Sequence, residues 1–219
     1  MISVSGIRGI IPSGLHFHNL VQFTLAFAKV LNPKTIIIGR DSRPSGEFIE
    51  NIVSGVLLSL GINVKTIGIV PTPTLKSIVN ETKSDGGIMI SASHNPIEWN
   101  AFKFVGKNGF FFDAEQIEKL KSFIVEDNLP LPKFAPGSSK QDVSSEYTNL
   151  HFESVLKQID LAKIKKKKFK VFIDAVNGGG SLVVPAFLEK LGCVVYRQYC
   201  APDGTFPRPP EPTPTALAK

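Results

Sequence analysis

Apolar and polar residues follow two rhythms along this chain. From Leu20 to Leu31 the apolar positions Leu20, Val21, Phe23, Phe27 and Leu31 recur at helical spacing, which predicts an amphipathic helix. KTIIIGRD (34–41) is a short continuous apolar run closed by charge, the pattern of a strand buried on both faces. Ser45 then stands where an N-cap belongs, ahead of Ile49, Ile52, Val53, Val56, Leu57 and Leu60, and Gly61 marks the stop of that helix. NVKTIGIV (63–70) predicts a second strand, TPTLKSIVN (72–80) a short helix opened by Pro73, and GGIMISAS (86–93) a third strand. AFKFVG (101–106) and GFFFD (109–113) predict a hairpin turning at Asn108-Gly109, and a helix follows from about Ala114 to Val125.

Between Asp127 and Ser145 the rhythm is lost. DNLPLPKFAPGSSKQDVSS, with three prolines and several serines, predicts a linker or a long surface connection. Helical YTNLHFESVLKQI (147–159) comes next, then strand KVFIDAV (170–176), glycine-rich NGGGS, helix LVVPAFLEKLG (182–192) and strand CVVYRQY (193–199). The remainder, from Pro202, is proline-rich. Strands alternating with amphipathic helices predict an α/β protein: two consecutive α/β domains with mainly parallel mixed sheets sandwiched by helices, the second incomplete. The expected limits are 1–135 for the first domain, 136–145 for a linker and 146–219 for the second domain.

Composition narrows the class. A chain of 219 residues with 42% hydrophobic and 20% charged residues has an ordinary soluble globular profile. No apolar run approaches the roughly 18 residues that span a bilayer, and the N-terminus lacks an export signal, so we expect a cytoplasmic protein without a membrane partner. The net charge is +6, much of it in Lys165–Lys168, which reads as a solvated connection ahead of a strand. No RNP-like aromatic motif or basic helix accompanies that run, so no nucleic-acid partner is expected. Cys193 and Cys200, seven apart in a strand, face opposite ways and predict free thiols. His16, His18, His94 and His151 are scattered and give no zinc spacing.

Candidate chemistry concentrates in IMISASHNPIEWNAFK (88–103). Ligands gather at the carboxyl ends of strands in open α/β sheets, and Ser91-Ala92-Ser93-His94-Asn95-Pro96 occupies such an end. Pro96 restricts Asn95 to extended backbone, so a turn there would lift Ser93 and His94 towards solvent. A serine so placed can act as nucleophile or phosphate carrier if something removes its proton and something offsets developing charge; His94 and Lys103 are the candidates. Taken alone, the segment reads equally well as a simple turn. In SGIRGI, Arg8 lies between two glycines, which suits either close approach to a phosphate or a turn with a surface arginine. Arg40, Asp41 and Arg43 of GRDSRPSG favour a structural ion-pair network at a helix start. The amides of VNGGGS could cradle an anion, but the segment lacks a P-loop lysine and the full dinucleotide spacing.

The ordered set SGIRG, GRDSRPSG, PTPT, GIMISASHNPIEWNAFKF, DAVNGGGS and FPRPPEPTPTAL resembles the α-D-phosphohexomutase family over essentially the whole chain. That family includes phosphoglucomutase, phosphomannomutase and phosphoglucosamine mutase. The resemblance implies that Ser93 is a phosphoserine that donates and re-accepts the phosphoryl group, its phosphate also binding Mg²⁺. It further implies that His94 and Lys103 lie beside it, Lys103 assisting proton transfer or neutralising the phosphate, and that Arg8 reaches the same centre. Asn95 and Asn100 would shape the loop and join Arg8 and Lys103 in contacting substrate. Where the family often has glycine, this chain has Ala101, which leaves Lys103 in register. The implied substrate is a hexose phosphate (glucose, mannose or glucosamine phosphate), and hexose 1,6-bisphosphate is the implied intermediate and activator. Members have four domains, and a later Asp-x-Asp-x-Asp-Arg loop supplies the metal carboxylates; no Asp-x-Asp-x-Asp occurs in these 219 residues. The chain is therefore expected to match the N-terminal two-domain portion, to lack the C-terminal domains as partners, and to be inactive alone. The alternative is a non-catalytic sugar-phosphate-binding or interaction module, or half of a split mutase.

Overall fold

A computed structural model of the chain describes residues 2–3, 6–131 and 136–218. The expected domain limit at residue 135, Ser5 of the SGIRGI motif and Lys219 lie outside the described residues.

Among the described residues the main sheet has seven strands: β1 (Ile2–Ser3), β2 (Gly6–Ile10), β3 (Thr35–Arg40), β4 (Asn63–Ile69), β5 (Gly86–Ile90), β6 (Trp99–Gly106) and β7 (Lys140–Asp142), in the order β1-β2-β6-β5-β3-β4-β7. Strands β5, β3, β4 and β7 run parallel to one another. Helices α2 (Ser45–Ser59) and α3 (Thr72–Glu81) supply the crossovers that parallel neighbours need. From β5 to β6 the chain has only residues 91–98, too few for a crossover, so β6 returns antiparallel and pairs on its other side with β2. This short return carries the serine motif.

Strand parity sorts the core into two layers. Ile36, Ile38, Ile88, Ile90, Phe102 and Phe104 face one way, against α1 (Phe17–Leu31), α2 and α4 (Ala114–Val125). Ile37, Met89 and Val105 face the other way, against α3 and α5 (Ser144–Leu156). The fold is thus an α/β sandwich around a mixed sheet. Stacked rings of Phe27, Phe104 and Phe112, with centroids 5.1–5.6 Å apart, fill the first layer.

Several local features differ from expectation. Ser45 begins α2 without capping it; the N-cap position is Pro44, and the Ser45 hydroxyl instead accepts a hydrogen bond from Asn100 Nδ2 at 2.9 Å. Gly61, with φ +79°, does sit just past the end of that helix, where a left-handed residue closes it at least cost. The second arm of the expected hairpin reduces to one bridge, Val105 to Phe111, across a turn at Asn108-Gly109. The stretch expected to be a linker contains β7, which extends the sheet beside β4, and the first residues of α5. The lysine run closes helix α6 (Leu161–Lys167), where cations meet the negative end of the helix dipole.

Beyond α6, strands β8 (Lys170–Asp174) and β9 (Val194–Gln198) form a parallel pair joined through α7 (Val183–Lys190), and a single turn, α8 (Pro214–Leu217), ends the described chain. Phe172 opposes Tyr196 and Lys170 opposes Val194 in register, so these four share one face, and Phe172, Tyr196 and Val194 are all exposed on it. Both cysteines are unpaired and half-buried. Among the described residues no helix is long and apolar enough to cross a membrane.

Candidate active site

Ser93 is exposed just past the end of β5, between buried Ala92 and exposed His94. Its φ is +59°, a left-handed conformation that costs a residue with a Cβ about 1–2 kcal/mol. Both sides of the residue are pinned. Its N–H donates to Ser91 Oγ at 3.1 Å, and its carbonyl accepts from Arg43 Nη2 at 3.0 Å. Asn95 closes the turn with its side-chain amide donating to the Ala92 carbonyl at 2.6 Å. The left-handed residue is what tips the hydroxyl out of the sheet.

Register brings cations to the same place. Arg8 on β2 lies directly opposite Ala101 on β6, and Lys103 follows Ala101 by two residues, so all three share the face that carries Met89 and Val105. Arg8, Ala101, Lys103, Ser91, Ser93 and His94 line one cavity of about 200 Å³. Ala101 forms part of its wall between the two cations. Burial lowers the Lys103 ammonium from its ordinary value; Asp41 opposes this, and the nearby Arg8 and Arg43 charges add to it.

Asn100 stands apart from this group. It is fully buried, with its amide given to Ser45 Oγ and its carbonyl oxygen accepting the Ala101 N–H at 2.8 Å. From there it ties the start of β6 to α2, and it lines none of the cavities that contain Ser93.

Arg43 organises the loop from beneath. The side chain is completely buried, and burial lowers its pKa. Nε pairs with Asp41 Oδ2 at 3.1 Å. Nη2 donates to the carbonyls of Ser93 and Asn95, and Nη1 to those of Pro96 and Trp99. Arg40 pairs separately with Glu50 at 3.4 Å. GRDSRPSG therefore holds the structural ion-pair network its sequence suggests, and in addition it grips the serine loop.

The same loop grips the second half of the chain. Ser42 Oγ donates to the Asn177 carbonyl at 2.6 Å. Val176 and Asn177, ahead of the glycine run, both have φ +53°, strained for a β-branched valine. They are held by bonds to Asp174 and from Ser42, and Asn177 N–H reaches the Tyr199 carbonyl at 2.6 Å. Gly178–Gly180 face Ser93 and His94 across a second cavity, of about 300 Å³, that Asp41 and Phe206 also line. Phe206 lies over the Arg43 guanidinium at 5.0 Å. His94 Nδ1 is 2.9 Å from Glu211 Oε2 in the proline-rich segment.

A serine whose backbone is pinned on both sides thus borders two cavities, one of which it shares with an arginine from β2 and a lysine from β6. Comparison with known proteins places the chain in a family. Residues 2–129 match the family model described as phosphoglucomutase/phosphomannomutase, alpha/beta/alpha domain I, and residues 149–219 match alpha/beta/alpha domain II. The chain belongs to the phosphoglucomutase/phosphomannomutase family. A phosphoglucomutase/phosphomannomutase of Thermococcus kodakarensis is 33% identical over 215 residues, covering 94% of this chain and 46% of that protein. A phosphoglucosamine mutase of Methanococcus maripaludis is 37% identical over 210 residues, covering 94% and 45%. The crystal structure of a putative phosphomannomutase from Thermus thermophilus superposes with a TM-score of 0.86 at 25% identity, covering 99% of this chain and 50% of that one. The chain spans about half the length of the curated relatives it matches.

Members of this family generally depend on Mg²⁺. Among the described residues no group of three or more His, Cys, Asp or Glu side chains is gathered to hold a metal ion. Asp41, the acid that shares a cavity with Ser93, has both carboxylate oxygens engaged by Arg43. These residues do not by themselves make a Mg²⁺ site. Sequence reasoning also passed over Ser91, Phe206 and Glu211. The signal for Ser91 was its spacing of two from Ser93, the reach of a serine hydroxyl to a following N–H; Phe206 and Glu211 fall in the FPRPPEPTPTAL segment, but nothing local names their partners, which lie more than a hundred residues away.

Proposed function

We propose that this chain is the phosphoryl-carrying part of a phosphohexomutase, which interconverts hexose 1-phosphate and hexose 6-phosphate through a phosphoserine at Ser93 and a hexose 1,6-bisphosphate intermediate. The observation that supports this best is the Ser93 hydroxyl sharing one cavity with Arg8 and Lys103. In the forward half-reaction the bond between phosphorus and Ser93 Oγ breaks as a new bond forms to a sugar hydroxyl, and that hydroxyl loses its proton. Arg8 offsets the charge on the transferring group. Lys103, whose ammonium burial makes more acidic, is suited to move that proton or to neutralise the phosphate. The bisphosphate turns end for end and returns its other phosphoryl group to Ser93. His94, oriented by Glu211, borders both cavities and contacts the group in transit. Asn95 shapes the turn. The names of the relatives point to glucose, mannose or glucosamine phosphate as the substrate class. Two unpaired thiols suit the reducing cytoplasm. We assign the site to a first domain within 1–135 and the facing glycine loop to a second within 146–219.

Because the described residues gather no metal site, the 219-residue chain alone is expected to be inactive as a mutase; the alternative is a module that binds sugar phosphate without turnover. Two measurements test the reading. Peptide mass mapping of the protein from its own cells should find phosphate on Ser93, and mutase turnover should vanish in Ser93→Ala. Turnover that survives that substitution would remove the phosphoserine, and substantial glucose 1-phosphate conversion by the isolated 219 residues would remove the claim that they are insufficient.

A further inference from the structure

The fork beneath the serine loop carries a consequence for how Ser93 is presented. A guanidinium has five N–H donors in a rigid plane. In Arg43 each has a partner: one on Asp41 and two on each side toward the carbonyls of residues 93, 95, 96 and 99. The loop is therefore wrapped around a single cation, and the carbonyl of the left-handed residue is one of the four it holds. Without that donor, nothing in the fork opposes relaxation of Ser93 to the ordinary φ < 0 region, which would swing its hydroxyl away from Arg8 and Lys103. The open face of the same guanidinium is covered by Phe206, at 5.0 Å, from the segment following β9. That segment is seated from both halves of the chain: the Thr205 carbonyl accepts from Asn177 Nδ2, and Gly204 packs against the Ser42 carbonyl.

We propose that Arg43 is the positioning residue that sets the poise of Ser93, and that Phe206, by covering Arg43, makes this poise depend on how the proline-rich segment is seated. The functional half of this inference rests on the phosphoserine reading; the structural half does not. Arg43 lines neither of the cavities that contain Ser93. It acts through the backbone of residues 93–99, so seating of the second unit and readiness of the nucleophile are one event.

The experiment is hydrogen–deuterium exchange on the 219-residue chain and its variants, followed at residues 91–99 and, as an internal control, at β3 and β4. Phe206→Ala leaves the whole fork intact, so the fold is retained. It is expected to speed exchange in 91–99 about fivefold, the equivalent of about 1 kcal/mol for a partly exposed cation–π contact, with β3 and β4 unchanged. Arg43→Lys keeps the charge but offers three donors from a point, so exchange in 91–99 rises further; in Arg43→Ala, added guanidinium at millimolar concentration restores slow exchange in part. Should Phe206→Ala leave 91–99 at wild-type rates, the coupling is refuted. Should Arg43→Lys do so while remaining folded, the positioning role is refuted. A parallel arm measures phosphate on Ser93 in the protein from cells. Fast exchange in Phe206→Ala with no phosphate on wild-type Ser93 would sink the phosphoserine reading and leave the positioning intact; phosphorylated wild type with unchanged exchange would do the reverse.

Discussion

Replacing Asp41 by asparagine tests the energetics of the buried fork. The wild-type carboxylate accepts two hydrogen bonds from Arg43, from the backbone N–H to Oδ1 and from Nε to Oδ2, both at 3.1 Å. Asparagine has the same shape but one oxygen, so its NH₂ group must face one of the two donors. The arginine, completely buried, then lacks its paired negative charge. Hydrogen bonds to charged groups contribute about 1.5–3 kcal/mol, and severing a buried ion pair costs about 3–5 kcal/mol. The four loop carbonyls remain on the fork and temper the loss, which places Asp41→Asn at about 2–3 kcal/mol. For a chain of this length about 2–4 °C of melting temperature is lost per kcal/mol, so a far-UV thermal melt should fall by about 4–12 °C. Glu118→Gln is the control. Its pair with Lys121 is shorter, 2.7 Å, yet lies on the surface of α4 and should change stability by less than about 0.5 kcal/mol. An Asp41→Asn protein that melts within about 1 °C of wild type, or no lower than the control, would refute the claim that burial decides which pair matters.

Three further outcomes follow from features already described. Burial holds the Lys103 amine below its ordinary value of 10.5, so in that window the unfolded chain binds more protons at this site, and wild-type stability rises with pH through it. Lys103→Met should abolish that rise in urea midpoints measured from neutral pH upward, and should bring the midpoint at neutral pH level with or above wild type. Gly204 has φ +70°, and an added Cβ would lie 2.3 Å from the Ser42 carbonyl. Gly204→Ala is therefore expected to cost about 2 kcal/mol or more and to admit protease near residue 204. Phe172 and Tyr196, 64% and 52% exposed, form an uncovered apolar face. The 219-residue chain should self-associate at high concentration, and Phe172→Lys with Tyr196→Lys should shift its sedimentation toward monomer.

Local chemistry made much of this legible in the sequence. Helical spacing placed α1 and α2, and the turn Asn108-Gly109 appears where its dipeptide sets it. The position of Ser93, between a buried strand and a proline, marked it as lifted from the sheet, and the structure sets it there beside Arg8 and Lys103. What could not be read was whatever depends on distant partners. KQD (140–142) contains no apolar residue, so its strand exists only because β4 offers an open edge. Ser45 looked like a cap by type, yet Asn100, fifty-five residues on, claims its hydroxyl. Arg43 showed as part of an ion pair; that the same side chain also holds four carbonyls of the serine loop emerges only when β3 and β5 are adjacent.

The strand at residues 140–142 also changes where this polypeptide can be divided. A protease or designer cutting near residue 138, in the proline- and serine-rich stretch, would sever the backbone without freeing anything. Residues 140–142 would stay zipped to β4, and Tyr147 and Phe152 would stay wedged beneath α3. Packing against the main sheet continues through α5, to Leu156, so a split-protein design that fuses its reporters at 138 is expected to read out two pieces that stay together.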